Sequence, residues 1–237
     1  MHRVFLVPGF FGFVNLGEMR YFGHVHRYLV QRFEEVGLEA AVHEVDTLPT
    51  SSLGKRAERL HERLDAHVQP GDVVHLVGHS SGGIDTRLIT CPGARIGDPE
   101  RNQALVEQIR SVVTVASPHH GTPSAEAFDS LAGKQLLRLL SVMTAVVIRR
   151  GSLPLGAVIR IGRLLTRLEN HLDEGLGIED ELFESLLGEL DDDRRASLDR
   201  FFRDVGSDQA LLPQITPDAM DVFNTLTTDH PDIRYGS

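Results

Sequence analysis

The sequence carries a single cysteine, Cys91, among 237 residues. An internal disulfide is therefore excluded, as are zinc sites built on several thiolates, and the cysteine usage fits a reducing compartment. Positive charge is also scarce. Against 34 Asp and Glu there are 24 Lys and Arg, a net charge of −10, and phosphate binding needs a basic face, so nucleic acid is not expected as a partner. The nearly continuous apolar stretch from Leu136 to Ile148 has thirteen residues, short of the ~20 that cross a bilayer. No signal-peptide pattern is visible: Val4 to Val7 is too short for a hydrophobic signal core and runs at once into Pro8-Gly9. A cytoplasmic location is the expectation. Internal repeats and low-complexity segments are lacking as well. What remains is ordinary globular composition, 41% hydrophobic and 24% charged, in a chain long enough for a sizeable core.

Short apolar runs alternate with amphipathic stretches through the first 120 residues or so. Val4 to Val7, Leu38 to Val45, Asp72 to Val77 and Ser111 to Ala116 read as strands. Between them, Tyr21 to Val36 places Phe22, Val25, Tyr28, Leu29 and Phe33 at helical spacing, with Gly37 as a stop. Ser51 or Ser52 caps a helix through Val68 that carries Leu53, Ala57, Leu60 and Leu64 on one face, and Gly82 to Thr90 forms the next. This succession implies right-handed crossovers and a parallel sheet covered on both faces. Near the end, Thr216-Pro217 is an N-cap with proline at N1, and Asp232 to Tyr235 begins another strand.

Gly78-His79-Ser80-Ser81-Gly82 is a G-x-S-x-G between a β-branched strand and a helix. That setting defines a nucleophile elbow: the turn is strained, side chains at the two glycines would collide with neighbouring backbone, and the serine Oγ stands above the sheet edge at a helix N-terminus. A serine hydrolase also needs two backbone N–H groups converging on the oxyanion. Ser81, directly after the nucleophile, supplies one. Phe10, in the Val7-Pro8-Gly9-Phe10-Phe11-Gly12-Phe13 loop after the first strand, is placed to supply the other.

Three segments together resemble the α/β-hydrolase lipases of bacteria: Pro8 to Gly12, Gly78 to Gly83, and Ser117-Pro118-His119-His120-Gly121-Thr122-Pro123. The stretch Gln214 to Met220 with Phe223-Asn224 is similar to those lipases too. The resemblance covers about residues 2–123 and 208–237, and implies an α/β-hydrolase fold with Ser80 as nucleophile and the Phe10 and Ser81 amides as oxyanion hole. Where the family often has His-Gly, this chain has Pro8-Gly9, which leaves the Phe10 amide in place. In that family the catalytic acid and histidine follow the strand that Asp232 to Tyr235 begins, and no residue before Ser237 matches either position. On this reading the C-terminal part of the fold is missing. A serine needs a general base to be a competent nucleophile, yet His24, His26, His75, His79, His119, His120 and His230 all read as packing or solvated residues, His79 orienting the turn.

Residues 124–206 read as a helical cap or lid inserted in a single domain spanning 1–237. Within it, residues 131–168 hold seven basic side chains and no acidic ones, whereas 169–199 hold twelve acidic against Arg194 and Arg195. The basic, apolar part suits a lid over the elbow, a structural cap paired with its acidic neighbour, or contact with a lipid interface. The sequence is therefore expected to encode a hydrolase of carboxylic esters with an apolar acyl group, working through an acyl-enzyme on Ser80 without metal or organic cofactor. Two other readings stay open: a non-catalytic hydrolase fold that binds lipid or a partner through its cap, and an acyltransferase.

Overall fold

The computed structural model describes residues 1–10, 15–16, 19–123, 125, 208 and 210–237. The expected cap, residues 124–206 including Leu136 to Ile148, lies outside the described residues apart from Ala125, as do Phe11, Gly12 and Phe13.

Along the chain, β1 is His2–Val7, β2 Asn15–Leu16, β3 Met19–Arg20, β4 Ala40–Glu44, β5 Val73–His79, β6 Ile109–Val115 and β7 Arg234–Gly236. β2 and β3 form a small antiparallel ribbon. The other five make one sheet, in the order β4-β1-β5-β6-β7, with every neighbouring pair parallel. Helices cover both faces of it. Alternate residues of β1 point to opposite sides: Phe5 and Val7 pack with Ala57, Leu60 and Leu64 of α2 (Leu53–His67), whereas Val4 and Leu6 pack with Phe22, Leu29 and Phe33 of the α1 (Gly23–Glu35) side. Phe5, Leu6, Leu60 and Leu76 are wholly buried, and each such side chain removed from water contributes about 1.5–3 kcal/mol. This is the α/β architecture anticipated from the alternating pattern.

α1 departs from expectation. It starts at Gly23, with Phe22 at the N-cap position, so Tyr21 lies outside the helix. Val25 and Tyr28, expected on its inner face, are 41% and 60% exposed. The helix packs near the sheet margin beside β4, where the stripe through Leu29 and Phe33 is enough to cover the strands. α2 begins as expected, the Ser52 hydroxyl accepting from the Lys55 amide. α3 (Ser81–Thr90) follows the elbow, and α4 (Pro99–Val106), which the apolar pattern did not reveal, is started by Asp98 accepting from the Arg101 amide with Pro99 behind it. The short α5 (Leu211–Gln214) precedes α6 (Pro217–Leu226), whose Thr216 hydroxyl accepts from the Ala219 amide.

Register decides where chemistry can occur. Val7 of β1 is level with Gly78 of β5, and Gly78 is level with Thr114 of β6. The loops after all three strands therefore leave the sheet together at its C-terminal edge, where ligands bind in such sheets. Among the described residues, no helix is long and apolar enough to cross a membrane.

Candidate active site

Ser80 joins β5 to α3 with φ 54° and ψ −131°. A non-glycine residue there is strained, and strain of this kind persists only where surrounding structure enforces it. Two bonds pin the turn: the Ser80 amide donates to Val115 O at 2.9 Å, and Ser80 O accepts from the Gly83 amide at 3.0 Å. The glycines around it are required by contact. A Cβ on Gly78 would sit 2.5 Å from Gly82 O, and one on Gly82 would sit 2.3 Å from Val7 O.

The loop after β1 lies directly over the serine. A Cβ on Gly9 would be 2.5 Å from Ser80 Cβ and 3.0 Å from its Oγ. Phe10, the next residue, is thus brought to the same corner as Ser80 and Ser81. Ser81 is the first residue of α3, so its amide is one of the donors a helix start leaves without an intrahelical acceptor. The three residues singled out in the sequence share one sheet edge.

Side chains that the sequence reading overlooked hold this arrangement. Arg56 and Asp85 are completely buried. The Arg56 Nε donates to both Asp85 carboxylate oxygens at 3.1 and 3.0 Å, and Nη2 reaches Oδ2 at 2.7 Å. The same guanidinium donates to Leu48 O at 2.6 Å and, through Nη2, to Pro8 O at 3.0 Å. One ion pair therefore ties α2, α3 and the loop over Ser80 together. Burial pushes the Asp85 carboxyl above its ordinary range, and Arg56 pulls it back. Only one cue existed in the sequence: Arg56 precedes Ala57 on the apolar side of its helix.

On the other side of the elbow, the Tyr21 hydroxyl and His79 Nδ1 are 2.5 Å apart. Burial lowers the His79 pKa and raises that of Tyr21, so at neutral pH the ring is uncharged and the phenol protonated. His79 is thus hydrogen-bonded to Tyr21, which the sequence pattern had placed within a helix.

His119 and His75 are engaged elsewhere. His119 Nε2 lies 3.0 Å from Thr114 Oγ1 and Nδ1 lies 3.3 Å from Arg87 Nη1. Asn224 Nδ2 donates to His119 O at 2.7 Å, which docks α6 against the Pro118 to Thr122 loop. These groups, with Asp229 and Tyr235, line a cavity of about 390 Å³. His75 bonds Ser111 Oγ at 2.8 Å and stacks on His2. Among the described residues none of the histidines or carboxylates is hydrogen-bonded to Ser80 Oγ, and no group of three or more His, Cys, Asp or Glu is arranged to hold a metal ion.

Solved structures of other proteins are similar to this chain to differing degrees. The propeptide form of Bacillus licheniformis lipase BlEst2 aligns over 98% of this chain with a TM-score of 0.50 and 16% identity, the chain spanning 34% of its length. Staphylococcus hyicus lipase aligns over 98% with a TM-score of 0.49 and 19% identity, 64% of its length being spanned. The metagenomic carboxyl esterase MGS0156 is 24% identical over 53% of this chain, with a TM-score of 0.37, and 33% of its own length is spanned. No protein-family model and no curated protein matches the sequence. At 16% identity, the likeness to the first of these structures defines a class of fold, the lipase-like α/β fold. It goes no further than the fold.

Proposed function

We propose that this chain is a serine hydrolase of carboxylic esters with an apolar acyl group. Ser80 Oγ attacks the carbonyl, the Phe10 and Ser81 amides hold the developing oxyanion, the alcohol leaves, and water releases the acid from the acyl-enzyme. The observation that carries the reading is the strained Ser80 backbone at a strand-to-helix turn with Gly9 pressed against its side chain. Such strain is characteristic of a turn that lifts a serine Oγ clear of the sheet, and the Phe10 and Ser81 amides beside it suit an oxyanion hole. The apolar-acyl assignment rests on the lipase-like fold and on the apolar stretch 136–148 in the sequence.

The test is hydrolysis of p-nitrophenyl esters of increasing acyl length. Activity that rises with chain length and vanishes in Ser80→Ala supports the proposal, and equal rates in Ser80→Ala overturn it. One observation favours a second reading, a non-catalytic fold binding lipid or a partner: Ser80 Oγ has no hydrogen-bonded base among the described residues. That reading predicts vesicle or partner binding by wild type without turnover. Transfer to an added alcohol, seen as a new ester product, would assign an acyltransferase instead.

A further inference from the structure

At the end of α3 away from Ser80 lies a second cavity. α3 starts at Ser81 on the C-terminal edge of the sheet and runs ten residues to Thr90, about 15 Å at the usual helical rise. There the helix end, the turn after it, α4 and the segment before β7 border about 660 Å³, within the range of small-molecule sites. It has no lining residue in common with the cavity beside His119, and the hydrolase reading makes no use of it.

Its walls carry groups without partners. Asn102 is 6% exposed, yet its Oδ1 has no donor among the described residues, and an enclosed acceptor left unpaired is costly. Arg95 is exposed and forms no ion pair among the described residues. His230 Nδ1 accepts from the Asp232 amide at 3.3 Å, which leaves Nε2 as the N–H of the neutral ring. Glu107 adds an exposed carboxylate. Cys91, the one cysteine of the chain, completes the set: it is half-buried, and its thiol makes a single weak contact, to the Pro92 carbonyl at 3.6 Å.

Together these groups describe a ligand. The guanidinium and the imidazole N–H suit a carboxylate, Glu107 an ammonium group, the Asn102 carbonyl an amide N–H, and the thiol another sulfur. An amino-acid or short-peptide thiol carries such groups in one small molecule. Cys91 stands at a helix C-terminus, not at the N-terminal position that activates catalytic cysteines, so selectivity has to come from the cavity walls.

We propose that Cys91 and this cavity form a modification site for a low-molecular-weight thiol of the amino-acid or peptide kind, held as a mixed disulfide. The co-reactant is the symmetrical disulfide of that thiol. Cys91 gives up its proton and its thiolate attacks one sulfur; the new S–S bond forms as the old one breaks, and the departing thiolate takes up a proton. Cys91 is thereby oxidised and the departing half reduced to thiol. The site is independent of the hydrolase reading.

Glutathione disulfide is the probe, with uncharged hydroxyethyl disulfide as reference. Adduct formation is followed by intact-protein mass spectrometry on the folded full chain and on the chain unfolded in urea. Dividing the glutathione rate by the reference rate removes the reactivity of the sulfur itself. The quotient should be about tenfold higher in the folded chain, the worth of one or two hydrogen bonds to charged groups. Arg95→Gln, an exposed change, should lower the folded quotient about three- to tenfold and leave the reference rate unchanged. Asn102→Ala should lower it as well. Equal quotients in the folded and unfolded chain overturn the proposal, as does a folded quotient that Arg95→Gln leaves unchanged or a folded chain that takes up no glutathione.

Discussion

Breaking the buried pair between Arg56 and Asp85 should give two penalties that differ in size and in pH dependence. Both side chains are fully buried, so neither charge can turn to water when its partner is lost. In Asp85→Ala the guanidinium keeps its bonds to the Leu48 and Pro8 carbonyls but loses its counter-charge, and Arg does not deprotonate in proteins. The loss should be about 3–5 kcal/mol, a fifth or more of a typical domain's stability of about 5–15 kcal/mol. Arg56→Met leaves a buried carboxyl whose pKa burial already pushes up. That group escapes by taking a proton. Because its folded pKa lies above its unfolded one, its contribution is intact below the unfolded pKa and is lost as pH rises through the folded pKa. The Arg56→Met penalty should therefore grow from pH 5 to pH 8, while that of Asp85→Ala should not grow over the same range, since the titrating carboxyl is gone. Replacing both, as Arg56→Met with Asp85→Leu, should return stability to within about 1–2 kcal/mol of wild type, since no charge remains buried. Urea unfolding of the four proteins at pH 5 and 8 makes the measurement. An Asp85→Ala cost under about 1 kcal/mol, or an Arg56→Met cost that ignores pH, would refute the reasoning.

Other outcomes follow from single contacts. Gly9→Ala puts a methyl 2.5 Å from Ser80 Cβ, so the loop must shift; esterase kcat should fall at least about 100-fold with little change in melting temperature, and wild-type kcat would contradict the described approach. His43 stacks on Phe5 at 4.9 Å between centroids, and burial with nearby His67 and Arg3 lowers its pKa to about 4. The unfolded chain takes the proton first, so stability should drop by about 1–2 kcal/mol between pH 7 and 4 after allowing for the solvent beside a half-buried ring. His43→Leu should flatten that slope, and an unchanged slope in calorimetry would count against it. Thr216→Val removes the α6 cap and should cost about 0.5–2 kcal/mol, read from urea midpoints; no loss would show that the hydroxyl at 3.4 Å from the Ala219 amide does not cap.

The sheet was legible because its strands are short apolar runs closed by Gly or Pro, and because the turn at Gly78 to Gly82 has a steric logic that residue types alone reveal. The caps at Ser52 and Thr216 were legible for the same reason. α4 escaped because Asp98-Pro99 announces it while its apolar residues, Leu105 and Val106, gather only at its end. The supports of the site escaped for a different reason. Arg56 and Asp85 are 29 residues apart, and Tyr21 and His79 are 58 apart, so only tertiary packing, of α2 on α3 for the first pair, brings them together. Tyr21 also fits the helical spacing of α1, which hid its contact with His79. Periodicity identifies which face is buried; it does not say which buried polar groups will meet.

Ser80 is proposed as a nucleophile held ready beside Gly9 and Ser81. Incubating the folded protein with a fluorophosphonate and mapping the adduct by peptide mass spectrometry tests it most directly. One phosphonyl group on Ser80, lost on prior unfolding in urea and absent from Ser80→Ala, is the predicted result. A folded wild-type protein that takes up no phosphonyl group, or takes it at another residue, would contradict it.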